Sequence, residues 1–212
     1  METSDLIEAL GKDAKAKAAS LAAVLTGAGL AAIIVAFALF AVLIGPRPDL
    51  AAAAGTPRFL FKFVVTLALV LAAAALLAAL ARPGASRRTR AQMLLVAPLL
   101  LGVAVAVEFL AVPPEAWAAR WIGTNIAVCL TYIPLIGIGP LALFLVALRH
   151  GAPTQPALAG AVAGLLAGGI AATLYAAHCT DDSPFFVATW YSIAIAGLAI
   201  FGALAGRAVL RW

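Results

Sequence analysis

Six continuous apolar runs, at residues 21–44, 63–80, 93–112, 126–148, 157–177 and 185–206, leave few folds open to this chain. Each is close to the ~20 residues an α-helix needs to cross ~30 Å of hydrocarbon. The runs are rich in Ala and Leu and do not alternate, so they read as helices rather than as strands of a membrane barrel. Composition agrees: the chain is 65% hydrophobic and 11% charged. A soluble fold of this length has no place for so much apolar surface, because a good part of its residues must face water. The first run is too long for a cleaved signal peptide and follows a polar-biased stretch. The expected fold is an all-α integral membrane protein, with a tail at residues 1–20 and a bundle of six transmembrane helices at residues 21–212.

Basic residues set the expected orientation, because Lys and Arg concentrate on the cytoplasmic side. One set of segments carries Lys12, Lys15, Lys17, Arg82, Arg87, Arg88, Arg90, Arg149, Arg207 and Arg211. The opposite set carries only Arg47, Arg58, Lys62 and Arg120. Both chain ends are therefore expected on the cytoplasmic side. Trp117, Trp121, Trp190 and Tyr191 then fall near the outer interface, where amphipathic rings prefer to sit. The net charge of +5 belongs to this lipid topology and gives no reason to expect direct contact with nucleic acid.

Two glycine stripes mark close helix packing. Gly160, Gly164 and Gly168 recur every fourth residue, and Gly202 and Gly206 repeat the spacing. Small residues on one stripe let backbones approach in lipid, either within one subunit or at a dimer face. Pro98, Pro134 and Pro140 lie inside spans, where they free carbonyls and kink helices.

Polar chemistry is sparse. Glu108 is the one charge well inside a span, and a carboxylate there needs a partner; Arg58, Lys62 and Arg120 are the nearest candidates in topology. Cys129 lies twenty residues before Arg149, and Cys179 twenty-three after Pro156. At ~1.5 Å per residue both thiols stand roughly 30–35 Å from the inner surface, on antiparallel neighbours. Facing an oxidising compartment, such a pair can form a disulfide or take a soft metal ion, with His178, Asp181 and Asp182 as auxiliary ligands. The plainer reading is two buried small residues. No cofactor is required, and a transient soft metal ion is the one non-protein group the residues invite. At the other end, residues 3–10 read TSDLIEAL. Asp5 and Glu8 suit a capping box, and Leu6, Ile7 and Leu10 share one helical face. So short a helix is unstable alone and either orders in a partner's groove or lies on the anionic inner leaflet.

Two other function classes fit the sequence less well. A small transporter or channel wants a polar path through mid-span, and only Thr66, Thr131, Tyr132 and Thr173 are there. An enzyme wants a nucleophile with a base, a metal motif or paired carboxylates, and no span offers one.

Several stretches resemble the NrsF family of bacterial membrane anti-sigma factors over nearly the whole chain. They are TSDLIEAL at 3–10, RPDL at 47–50, TPRFLFK at 56–62, CL at 129–130, RHGAPTQPALAGAVAGLLAG at 149–168, HCTDDSPFFVATWY at 178–191 and the closing RW. The resemblance implies a non-enzymatic regulator that holds an extracytoplasmic-function sigma factor at the inner membrane, away from RNA polymerase. It implies that the family's two outer cysteines, implicated in sensing metal or oxidative stress, correspond to Cys129 and Cys179. It also implies a sigma-binding surface on the inner face, for which Asp5, Leu6, Ile7 and Leu10 are the candidates and the 82–90 loop a neighbour. Oligomeric state is left open.

Overall fold

The computed structural model describes residues 20–82, 84 and 86–210. Six helices in it are long and apolar enough to cross a membrane: Leu21–Leu43, Pro57–Leu80, Arg88–Ala111, Ile126–Leu148, Pro156–Ala176 and Pro184–Val209. They follow the six apolar runs. The candidate tail residues Asp5, Leu6, Ile7 and Leu10 lie outside the described residues.

Local chemistry sets the boundaries. Ser20 caps the first span by accepting from the Ala23 N–H at 3.2 Å, and Gly45, at φ 65°, turns the chain after it. Thr56 caps the second span and Pro57 opens it, six residues before the apolar run begins. The third span is interrupted between Arg88–Met93 and Val96–Ala111. Pro98 accounts for the break, since it has no N–H for the Leu94 carbonyl four residues back and its ring crowds that turn. Pro134 and Pro140 sit inside Ile126–Leu148, which stays one helix. The sixth span contains a π-helical turn at Val187–Tyr191, a widening common at functional sites.

The fifth span is the axis of the bundle and the most enclosed of the six. Its glycine stripe packs inside the subunit. A Cβ on Gly160 would collide with the Gly202 carbonyl, one on Gly164 with the Leu198 carbonyl, and one on Gly206 with the Pro156 carbonyl. Backbones this close exclude every larger residue, so the stripe serves fifth-to-sixth span packing. The third span is the least enclosed, and Leu99, Val103, Val107 and Leu110 present an exposed apolar face.

Long-range bonds divide the connections between two ends. Ala152 donates its N–H to the Ala81 carbonyl at 3.3 Å, and Arg87 donates to Thr154 at 2.9 Å, joining the second-to-third and fourth-to-fifth connections. Arg47 donates its N–H to the Ala177 carbonyl at 3.0 Å, and Asp181 accepts from Thr124 and Asn125. Those bonds join the other three connections at the opposite end.

Candidate functional site

The polar residues of that opposite end converge on one loop, residues 178–183, between the fifth and sixth spans. Lys62 enters it from the first turns of the second span, fully buried. Its Nζ donates to the Cys179 carbonyl at 2.8 Å, pairs with Asp182 Oδ1 at 2.6 Å, and lies over the Phe59 ring. Arg47 reaches the same carbonyl at 3.4 Å and Asp182 at 3.0 Å, while its Nε and Nη2 donate to the two Asp49 oxygens at 2.7 Å each. The hydrogen bonds from Arg47 hold the Asp49 carboxyl below the usual carboxylate range.

Glu108 does have partners. Oε2 accepts from Arg58 at 2.8 Å, and Oε1 accepts from Arg120 at 2.9 Å and from Ser183 Oγ at 3.3 Å. Of the three cations expected near it, Lys62 went instead to Asp182, because the loop carries that carboxylate closer. A buried carboxylate flanked by two half-exposed guanidinium groups ties the second and third spans to the 178–183 loop.

Asp181 and His178 are engaged as well. Asp181 accepts from the Asn125 N–H at 2.9 Å, from Asn125 Nδ2 at 2.8 Å and from the Thr124 N–H at 3.0 Å. It satisfies orphan donors at the start of the fourth span, the helix that carries Cys129. His178 Nδ1 lies 2.9 Å from the Gly45 carbonyl. The three auxiliary ligand candidates thus point at three different partners. Among the described residues no three His, Cys, Asp or Glu side chains are grouped to hold a metal ion. A metal here would rest on the two thiols.

Cys129 and Cys179 are both free and fully buried. They lie in one core cluster, to which Tyr175 and Tyr191 also belong. Burial pushes the Cys179 thiol above its ordinary range, and the Lys62 ammonium works against that rise. The two tyrosine rings meet edge to face, 5.5 Å between centroids. Tyr191 is therefore buried in the core and not, as expected, an interface ring. It is the last residue of the π-helical turn and is buried. Trp190 and Trp121 do stay together, through a 2.9 Å bond from Trp190 Nε1 to the Trp121 carbonyl. Sequence reasoning did not single out Tyr175, Arg47 or Ser183. Arg47 had a signal, as one of four cations on the cation-poor side of the topology.

Fold and site together define a six-helix membrane protein in which buried charge and buried thiols gather at one end of the bundle. The chain belongs to the NrsF family: that family's model, described as negative regulator of sigma F, matches residues 10–212. It is 38% identical to "Anti-sigma-F factor NrsF" of Caulobacter vibrioides (strain NA1000 / CB15N), with all of both chains covered. It is 33% identical to "Probable anti-sigma-F factor NrsF" of Azospira oryzae (strain ATCC BAA-33 / DSM 13638 / PS), again over the whole of both chains. No solved structure matches.

Proposed function

We propose that this chain is a multi-pass anti-sigma factor of the bacterial inner membrane, holding an extracytoplasmic-function sigma factor at its cytoplasmic face. It releases that partner when Cys129 and Cys179, in the periplasmic half, are oxidised together or take a soft metal ion. Family membership supports the regulatory role. The positive-inside pattern supports the orientation, since Arg82, Arg87, Arg88, Arg90, Arg149 and Arg207 all sit at the end away from the cysteines.

The observation that carries the sensing half is the double grip on the Cys179 carbonyl. A change at the Cys179 sulfur moves a backbone that Lys62 and Arg47 hold. Lys62 belongs to the second span, whose far end bonds the fourth-to-fifth connection through Ala81 and Ala152. One rigid helix therefore runs from the thiol loop to the arginine-rich end. The tail bearing Asp5, Leu6, Ile7 and Leu10 is the proposed sigma-binding segment, with the 82–90 loop beside it. A transporter reading fares worse: among the described residues the buried Lys62, Glu108 and Ser183 cluster at one end, and the buried Thr66 spends its hydroxyl on the Lys62 carbonyl of its own helix.

Capture of the sigma factor tests the reading. Membranes carrying the full chain should retain a sigma factor encoded beside it, and membranes lacking residues 1–19 should not. Cys129→Ser and Cys179→Ser should each abolish or lock the transcriptional response. Failure to retain any sigma factor ends the anti-sigma reading; normal responses in both serine variants end the sensor reading.

A further inference from the structure

Behind the third span the bundle leaves a groove of about 270 Å³. Leu94, Pro98 and Leu101 of that span form one wall, beside the break in the helix, and Val65, Leu165 and Ile195 belong to the walls made by the second, fifth and sixth spans. No charged side chain lines it. Thr66, which does, gives its hydroxyl to the Lys62 carbonyl at 2.9 Å. An apolar cavity of ~150 Å³ takes up benzene, so this groove has room for a stretch of hydrocarbon chain. At this depth in a bilayer that hydrocarbon is acyl chain.

The wall of the groove leads to two cations. Arg87, Arg90, Leu94, Ala97 and Leu101 recur at three- and four-residue spacing and so share one face of the third span. Leu94 (φ −62°, ψ −21°) and Leu95 (φ −74°, ψ −16°) keep near-helical dihedrals through the break, so the face is continuous. Arg90 stands about one turn, ~6 Å of rise, from Leu94. Arg87 gives one N–H to Thr154 at 2.9 Å, and Arg90 one to the Ser86 carbonyl at 3.5 Å. Neither has an ionic partner among the described residues. The described carboxylates, Asp49, Glu108, Glu115, Asp181 and Asp182, all belong to the opposite end. Topology asks for arginines on this side of the membrane, but not for two of them in register with an apolar groove. Guanidinium groups match phosphate oxygens bidentately, and basic sites at this level of a membrane protein suit anionic headgroups.

We infer that the groove and the two arginines form a site for one anionic phospholipid. Its phosphate lies on Arg87 and Arg90, and one acyl chain runs past Leu94 into the groove. A zwitterionic lipid is disfavoured because its own cation meets the arginines. The bound lipid fastens the arginine-rich end of the third span, the least enclosed but for this contact, to the rest of the bundle.

Native mass spectrometry of the purified full chain in detergent tests the site, with phosphatidylglycerol and phosphatidylcholine of matched chains as probes. The chain should retain one phosphatidylglycerol in preference to phosphatidylcholine. Arg87→Gln with Arg90→Gln should weaken that binding about tenfold, whereas Arg88→Gln, on the opposite face of the helix, should leave it near the parent value. Ala97→Leu and Ser192→Leu narrow the groove from two walls, and each should weaken binding several-fold; the exposed Ser192 position guards against a buried change that fails to fold. Equal retention of the two lipids overturns the proposal. So does an equal loss in Arg88→Gln, which would make the attraction one of diffuse charge. Parent affinity in a groove-narrowing variant that keeps the parent melting temperature overturns it too, because the acyl chain would then lie elsewhere.

Discussion

Lys62 donates its buried ammonium to the Cys179 carbonyl at 2.8 Å, so a cation of the second span directly holds the backbone of a thiol residue between the fifth and sixth. The same ammonium neutralises Asp182, which Arg47 also grips. Lys62→Met should cost about 1–3 kcal/mol, because it leaves the Cys179 carbonyl with only the longer bond from Arg47 and Asp182 with one cation fewer. Its functional effect should be larger: cysteine modification still occurs, but the regulon no longer responds. Thermal unfolding in detergent and a transcriptional reporter measure the two separately.

Asp181 joins the Cys179 loop to the start of the helix bearing Cys129. Asp181→Ala removes acceptors from the Thr124 and Asn125 N–H groups, and loss of a comparable helix-end acceptor costs about 0.5–2 kcal/mol. With the two thiol-bearing elements no longer pinned, the response should need a higher dose of inducer. A dose–response curve at matched protein level checks this.

Acid should loosen the Arg47–Asp49 pair in a defined direction. The Asp49 carboxyl sits below its ordinary value because Arg47 bonds both oxygens. A carboxylate lowered on folding contributes stability above its unfolded pKa of about 3.9, and that contribution fades as pH falls through the lower folded value. The wild-type and Asp49→Asn melting curves should differ at neutral pH and converge in acid.

Cys179 should react slowly with a membrane-impermeant maleimide at neutral pH, and its rate should keep rising beyond pH 9, because burial holds the thiol above its usual range. The linked stability runs the other way. A thiol raised on folding favours the folded state below its unfolded pKa of about 8.5 and loses that contribution as pH rises. Labelling followed by mass spectrometry over a pH series decides it.

Gly164→Val should destabilise the bundle by about 1–3 kcal/mol, since the new side chain meets the Leu198 carbonyl and Ala199 of the sixth span. Gly197→Ala, with open space at its Cβ position, should be nearly neutral. If Gly164→Val altered oligomer size by multi-angle light scattering without altering stability, the stripe would be an intersubunit face.

The amino-acid sequence by itself determined the class of fold. Six apolar runs of membrane length, and basic residues weighted to alternate connections, are one-dimensional patterns that composition and spacing reveal. Depth along a helix is equally one-dimensional, since rise per residue is fixed, and it placed Cys129 and Cys179 at one end of the bundle. The need of Glu108 for cationic partners followed from its burial in an apolar run.

Only the tertiary structure decided which partner each charge took. Arg58, Lys62 and Arg120 were equally plausible for Glu108 along the chain, and the path of the 178–183 loop gave Lys62 to Asp182. Tyr191 lies on a π-helical turn that no residue pattern announces, and its meeting with Tyr175 depends on how two spans rotate against each other. That rotation is set by the glycine faces of the fifth and sixth spans, where backbone meets backbone. Sequence spacing fixes depth in a membrane; rotation and partner choice come from packing, which is three-dimensional.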